Sequence, residues 1–283
     1  MPKVRDYNNS LHCNNDQWVN KTMSAAITAS APTPTPRLTR WQAFAIHLGI
    51  SAAIAVAVVL WMVFVWFPPP YFDAEGGKDL LLILLAVDVV LGPLITLIVF
   101  KPGKPSLRLD LSVIALVQTC ALIYGCYTMY VSRPVFIVFA VDHFVSVRAF
   151  DLEDADIAQA QRPEYRSRPL TGPVQVAVEL PKNEEEMRKT VIGAMQSGKG
   201  LHRFPRLYVP YSEYRARALA ASRPIEFLAK ADKSRADKVS ARIAKIGRKA
   251  SDITYLPMQT RAGIGFALLD AKTGDLVELS MEP

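Results

Sequence analysis

The chain has 283 residues, of which 51% are hydrophobic, and its mean hydropathy of +0.16 is high for a soluble globular protein. Its formal net charge is +7, and none of its three cysteines lies beyond Cys126, which excludes a disulfide framework in the second half of the chain. The apolar residues are concentrated between Trp41 and Val131, whereas residues 133–283 have an ordinary mixed composition. The composition therefore predicts a membrane part followed by a soluble part.

Three apolar runs make up the membrane part, at about residues 43–67, 79–100 and 111–131. A hydrocarbon core of roughly 30 Å is crossed by about 20 helical residues, and each run reaches that length. The first run is longer than the roughly 7 to 15 apolar residues of a signal peptide and lacks a small-residue cleavage site. We therefore predict a three-helix transmembrane domain over residues 41–132, with an uncleaved first helix.

The charges that flank the runs predict their orientation, because Lys and Arg accumulate in short cytoplasmic segments. The loop after the first run, "PPPYFDAEGGK", has one Lys against two acidic residues. The other two flanks are basic and carry Arg37, Arg40, Lys101, Lys104 and Arg108. The N-terminus is therefore expected in the cytoplasm and residues 133–283 in the periplasm, in a multi-pass protein of the bacterial inner membrane.

The segments outside the runs differ in kind. Residues 1–40 are polar and end in "SAPTPTPRLTR", which predicts a disordered cytoplasmic tail. Residues 133–283 begin with strand-like stretches such as "RPVFIVFAVDHFVSVRAF" and "PVQVAVEL", continue with helical regions and end in a predicted hairpin. Strands, helices and strands in this order predict a periplasmic α+β domain with a mostly antiparallel sheet.

One predicted helix of this domain lies in "PKNEEEMRKTVIGAMQSGKG". Asn183 is placed to cap its start, and Gly198 is placed to end it. Met187, Val191 and Met195 recur every four residues, and this stripe is expected to pack on the sheet.

A single carboxylate, Asp88, lies inside the second run, in "LLILLAVDVVLGPLITLIVF". A charged side chain at mid-bilayer costs at least about 2.5 kcal/mol, so Asp88 is expected to face the bundle interior beside a polar partner. At about 1.5 Å per residue it lies roughly 18 Å from the cytoplasmic end of its helix. The favoured partners at that depth are Gln118, Thr119 and Tyr124 of the third run. His47 of the first run lies nearer the cytoplasmic end.

Gly92 and Pro93 follow Asp88 by about one helical turn. Proline removes a backbone hydrogen bond and glycine permits close approach of a neighbour, so a bend in the second helix is expected here. With Asp88 and its three favoured partners, these residues form a predicted intramembrane polar site. Two interpretations remain open: a hydrogen bond that holds the bundle together, or a site that contacts a client helix or responds to protons.

A basic segment, "KADKSRADKVSARIAKIGRKA", lies in the predicted periplasmic domain. Nucleic acid is not an expected partner on that side of the membrane, which leaves lipid headgroups or an acidic protein face. A solvated helix face is the alternative. The cations of this candidate basic partner face are Lys230, Lys233, Arg235, Lys238, Arg242 and Lys245.

The chain carries no motif with the spacing of a catalytic or metal site. The stretch "QSGKGL" lacks the spacing of a phosphate-binding loop, and the four histidines are scattered. We therefore expect a protein that is not an enzyme, with no cofactor, no metal and no small-molecule substrate.

Five stretches together resemble one family, the type IV pilin accessory proteins of the TfpX/TfpZ type, also called FimB-like. They are "RWQAFAIHLGIS", "AVDVVLGPLITLIVFKPGKPSL", "RPVFIVFAVDHF", "RFPRLYVPY" and "LLDAKTGDL", and they follow the family order from about Arg40 onward. The resemblance implies an inner-membrane accessory protein of type IV pilus biogenesis that assists pilin stability or assembly through contact with pilin or the assembly machinery. It carries over no catalytic residues. A membrane-anchored periplasmic sensor and a proton- or ion-coupled subunit that uses Asp88 are the alternatives.

Overall fold

The computed structural model describes residues 38–281. Three of its helices are long and apolar enough to cross a membrane: α1 (Arg40–Trp66), α3 (Gly77–Val99) and α4 (Leu107–Ser132). The three predicted apolar helices are therefore confirmed as helices, and the predicted tail over residues 1–40 lies outside the described residues except for its last three. A short helix, α2 (Tyr71–Ala74), lies in the loop between α1 and α3.

Local sequence fixes where the first helix begins. The Thr39 hydroxyl accepts a hydrogen bond from the Gln42 backbone N–H over 3.2 Å, and the Gln42 side chain accepts one from the Thr39 backbone N–H over 2.9 Å. Reciprocal bonds of this kind satisfy two of the backbone donors that a helix start leaves unpaired.

The long helices form a bundle in which α3 is central. Both α1 and α4 pack against α3, and they approach each other chiefly near Met62 and Met129, at the end of the bundle that faces the second domain. Farther from that end, α1 and α4 diverge. A groove floored by α3 lies between them.

Residues after α4 form one mixed sheet with helices packed on it. The strands are β1 (Pro134–Ala140), β2 (His143–Arg148), β3 (Val174–Val178), β4 (Tyr208–Pro210), β5 (Arg223–Pro224), β6 (Ile253–Thr260), β7 (Gly263–Asp270) and β8 (Leu276–Ser280). Their order is β4-β3-β1-β2-β6-β7-β8, and β5 pairs with β6.

The predicted α+β class is confirmed for this domain, but the prediction of a mostly antiparallel sheet is wrong. Strand β3 pairs in parallel with β1, and β6 pairs in parallel with β2. Parallel neighbours need a long crossover connection, and the short helices between these strands supply it. The central hairpin of β1 and β2 therefore has a parallel strand on each side.

The helices of this domain are α5 (Asp154–Ala158), α6 (Glu184–Ser197), α7 (Arg215–Ala221), α8 (Ile225–Ala231) and α9 (Lys233–Lys245). As predicted, Asn183 caps α6 by accepting two backbone N–H groups, and Gly198 ends it with a positive φ of 65°. The predicted packing stripe is wrong, because Thr190 and Ala194 are the buried residues of α6 while Val191 and Met195 are exposed. Large aromatic side chains from the strands fill the core beneath α6, so the helix approaches through its smaller residues.

Arg133 links α4 to the sheet at the junction between them. Arg133 follows the last residue of α4 and is almost fully buried. Its guanidinium donates to the carbonyl oxygens of Tyr130 and Pro169 and lies 3.9 Å from the centre of the Tyr130 ring. The next residue, Pro134, begins β1.

The loop between α1 and α3, residues 67–76, is here called the docking loop because it packs on the sheet. Tyr71 and Ala74 are buried in the same cluster as core residues of the strands. The backbone N–H of Ala262 donates to the carbonyl of Ala74 over 3.3 Å, and that of Gly172 donates to Val65 at the end of α1 over 2.8 Å. The helices and the sheet are therefore joined at several points.

Candidate functional site

The predicted intramembrane site lies in the groove between α1 and α4. A cavity of about 170 Å³ has walls from both helices, and α3 forms its floor. Its polar lining consists of His47, Ser51, Asp88, Gln118 and Thr119. The sequence therefore identified most of the polar residues that meet in this cavity.

Asp88 is the most isolated polar group of the groove. It is 8% exposed, and in the described part of the chain neither of its carboxyl oxygens has a hydrogen-bond partner. A buried polar atom that lacks a partner costs about 1–3 kcal/mol, more when it is charged. Such a group therefore marks a place where a hydrogen-bonding partner would be bound favourably.

The favoured side-chain partners do not reach this carboxyl group. Thr119 donates to the carbonyl of Ala115 in its own helix over 2.8 Å, and Tyr124 is largely exposed. Gln118 donates over 3.2 Å to the backbone carbonyl of Asp88, not to its side chain. His47 is paired elsewhere, at 2.7 Å from the Thr96 hydroxyl of α3.

Pro93 explains the bond from Gln118. Residues Ala86–Leu91 form a π-turn, and the Gly92 N–H donates to Val87, five residues back. In the same register the N–H of residue 93 would donate to the carbonyl of Asp88, but proline has no N–H. Gln118 supplies the missing donor from the neighbouring helix.

Gly92 makes this contact possible. A Cβ atom added to Gly92 would lie 1.8 Å from Nε2 of Gln118, closer than any real contact. Gly125 of α4 likewise allows close packing against α3, because an added Cβ atom would lie 2.4 Å from Cδ1 of Leu84. Small residues at helix crossings allow this close packing in membranes. Gly92, Pro93 and Gln118 therefore have a structural role that leaves the Asp88 side chain unused.

A second cavity lies on the other side of Asp88, between α3 and α4. Its volume is about 290 Å³, and Asp88, Tyr124, Gly125 and Thr128 are part of its lining. Tyr124 thus shares a cavity with Asp88 although the structure contains no hydrogen bond between them. The carboxyl group lies between two mostly apolar spaces.

The cations of the basic partner face lie on α8 and α9. Arg235 is paired with Asp232 at 3.4 Å, and Arg242 is paired with Glu278 at 3.3 Å. Lys230 lies over the Phe227 ring at 5.5 Å. The opposite side of α9 is buried through Val239 and Ile243, so the exposed cations Lys233, Lys238 and Lys245 project from a helix held by its apolar side.

Sequence reasoning missed Glu75, which lies in the docking loop. It is 2% exposed, and neither carboxyl oxygen has a hydrogen-bond partner among the described residues. Burial raises the pKa of Glu75 to about 7, against the opposing effects of nearby Ser146 and Arg148. The only sequence signal for a docked loop was the pair of aromatic residues in "PPPYFDAEGG", because apolar side chains in a polar loop need a surface to cover them.

The comparisons with known proteins agree with the resemblance noted in the sequence. Residues 37–76, which include α1 and the whole docking loop, match the model of the family described as fimbrial assembly protein FimB. The fimbrial assembly protein of serogroup E1 from Dichelobacter nodosus is 32% identical over 216 residues, which are 75% of this chain and 83% of that protein.

Two further relatives come from the same organism. The fimbrial assembly protein of serogroup I is 31% identical over the same shares of both chains, and that of serogroups C1 and C2 is 36% identical over 41% of this chain and 89% of its own. No solved structure matches the chain. The identity and coverage of these relatives show that the chain belongs to the FimB family of fimbrial assembly proteins.

Proposed function

We propose that this protein is a non-catalytic accessory factor of type IV pilus biogenesis that binds pilin. A role in pilus biogenesis is supported by relatives named as fimbrial assembly proteins over three quarters of the chain. In this proposal α1, α3 and α4 cross the bacterial inner membrane with residue 38 near the cytoplasmic side, and the domain that starts at β1 lies in the periplasm. The basic loop between α3 and α4 supports this orientation.

The groove of the bundle is the proposed contact for the membrane helix of pilin. The observation that carries the proposal is Asp88, a buried carboxyl group without a partner that opens onto the cavity between α1 and α4. The helices that wall the cavity supply mostly apolar side chains, which suit a lipid-embedded helix. A client helix that presents a hydrogen-bond donor to Asp88 would satisfy this buried carboxyl group.

The periplasmic domain is the proposed contact for the pilin head. Because the docking loop and Arg133 fix the sheet on the bundle, a client held in the groove would have its exported part beside this domain. The exposed lysines of α9 favour an acidic face on that partner.

Site-specific photocrosslinking in cells tests both contacts. A photoreactive residue at Ile50 or Ala115, in the lining of the groove, and at Lys233 or Lys245, on α9, is expected to capture pilin. Ile98 on α3 is the matched control, because its side chain is 82% exposed on the outside of the bundle. If neither the groove positions nor the α9 positions capture pilin, the proposal is refuted.

A further inference from the structure

The strand directions place one end of the sheet beside the helix bundle. Strand β1 begins two positions after the last residue of α4, so its start is near that helix. The register pairs Pro134 with Arg148 at the end of β2, and Phe136 with Val174 at the start of β3. Because β6 runs parallel to β2, the turn between β6 and β7 lies at this same end. We call it the helix-side end of the sheet.

Backbone hydrogen bonds tie three segments of this end to the bundle or its loop. The N–H of Ala149 donates to the carbonyl of Arg133 over 2.9 Å, directly after α4. The bonds from Gly172 to Val65 and from Ala262 to Ala74, described above, attach the other two segments to the end of α1 and to the docking loop. The three segments therefore lie beside the end of α1, the docking loop and the end of α4.

Each of these segments exposes a large apolar side chain within two residues of its bond. Phe150 is 53% exposed, Leu170 is 60% exposed and Ile264 is 69% exposed. These three side chains are here called the apolar rim. Burial of apolar side chains of this size is favourable, so their grouping at the end of the domain nearest the helices favours a surface that covers them.

Cationic groups lie next to the apolar rim. The Arg148 guanidinium lies 4.2 Å from the centre of the Phe150 ring. Arg261, in the turn that leads to Ile264, is exposed. Arg168 donates to the carbonyl of Ala149 over 2.8 Å and so holds the Phe150 and Leu170 segments together. Apolar side chains beside Arg side chains are typical of surfaces that lie in a membrane interface.

We infer that the apolar rim of Phe150, Leu170 and Ile264 lies in the lipid headgroup layer around the helices, so that the domain rests on the bilayer. Arg261 then faces lipid phosphates, whereas Arg148 is held by the carboxylate of Asp151 at 2.9 Å. The inference depends on the proposed crossing of the membrane by α1, α3 and α4, because the ends of those helices bring the rim to the bilayer surface. A lipid surface is favoured over a protein because the rim lies at the end of the sheet that is tied to the helix ends, beside the exposed Arg261.

Nitroxide labels on the full chain in vesicles of phosphatidylcholine and phosphatidylglycerol test this inference. In a variant whose native cysteines are replaced, single labels are placed at Phe150→Cys, Leu170→Cys and Ile264→Cys. The matched control is Asp142→Cys, in the exposed turn that follows β1, about 23 Å from the helix-side end at about 3.3 Å per residue. The rim labels are expected to show an oxygen-to-nickel accessibility ratio several-fold higher than that of the Asp142 label.

Two results would overturn the inference. If the nickel complex reaches the rim labels as readily as the Asp142 label, the domain does not contact the bilayer. If the rim labels are shielded from both oxygen and the nickel complex, the rim contacts protein. A label at Val117→Cys, exposed in the middle of α4, separates this failure from that of the proposed topology. If that label also lacks access to oxygen, the helices do not cross the bilayer and the proposed topology is refuted as well.

Discussion

Gln118 of α4 donates to the backbone carbonyl of Asp88, the acceptor that Pro93 leaves without a donor in α3. This bond separates two functions that the sequence alone could not distinguish. The backbone of Asp88 belongs to the helix packing, whereas its carboxyl group faces the cavities and remains without a partner. The variants below address the two functions separately.

Replacement of the Gln118 donor should destabilise the bundle. In Gln118→Leu the Asp88 carbonyl loses its partner, and we expect the free energy of unfolding to fall by about 1–3 kcal/mol. Pro93→Ala restores an N–H in α3, so the same substitution should cost less in a Pro93→Ala background. Thermal unfolding of the four proteins of this cycle in detergent gives the coupling. Equal losses in both backgrounds would contradict the role assigned to Pro93.

Close approach at Gly92 gives a second prediction. Gly92→Ala places a methyl group against Gln118, and we expect a loss of about 1–3 kcal/mol from overpacking. Gly49→Ala is the matched control in α1, because an added Cβ atom there has no neighbour within 4 Å. The control should be neutral or should stabilise the helix by up to about 1 kcal/mol. The prediction fails if the two variants have the same melting temperature.

The Asp88 carboxyl group is expected to lower the stability of the bundle and to contribute to the proposed binding of pilin. Asp88→Leu removes a buried unpaired polar group and should leave the melting temperature unchanged or raise it, with a free-energy gain of up to about 3 kcal/mol. Crosslinking of pilin to the groove should fall by about three- to twentyfold, because hydrogen bonds between membrane helices contribute about 0.6 to 1.7 kcal/mol.

Asp88→Asn distinguishes the interpretations of that residue. An amide can still form hydrogen bonds, so a client-helix contact should survive in part. A proton- or ion-coupled subunit should lose all activity in Asp88→Asn at normal protein levels, and a purely structural Asp88 should lose stability in Asp88→Leu. Counting pili and measuring protein levels for both variants decides among the three.

Glu75 should make stability depend on pH. Its pKa is raised from 4.5 to about 7 in the folded protein, so the folded state retains a proton that the unfolded state has released. The free energy of unfolding should therefore fall as pH rises from about 4.5 to about 7, by up to about 3 kcal/mol, and then level off. Glu75→Gln should abolish this slope. An unchanged slope in the variant, measured by thermal unfolding between pH 4.5 and 8, would contradict the assignment.

The sequence predicted the parts of this protein that depend on local composition. An apolar run of about 20 residues has few alternatives to a long helix, and the predicted run at 79–100 differs from α3 (Gly77–Val99) by two residues or fewer at each end. The cap at Asn183 and the end at Gly198 were also predictable, because both depend on residues within one turn.

The contacts between elements distant in the sequence could not be predicted from local composition. Strand order depends on long-range connections, so the parallel pairing of β1 with β3 and of β2 with β6 was missed. The positions of the two residues along their helices correctly predicted that Gln118 lies near Asp88. These positions could not predict whether the Gln118 amide bonds to the side chain or to the backbone of Asp88, because that depends on the π-turn and on the rotation of α4. The buried position of Glu75 likewise depends on a surface more than 70 residues away in the chain.

The buried Arg133 constrains how the domain that begins at β1 is attached to the helices. It bonds to α4 on one side and to the 168–170 segment on the other, and the central strand of the sheet starts at the next residue. The contacts of Arg133 therefore set the angle at which β1 leaves α4. If pilin binds as proposed, the same contacts determine how its head is oriented relative to the bundle.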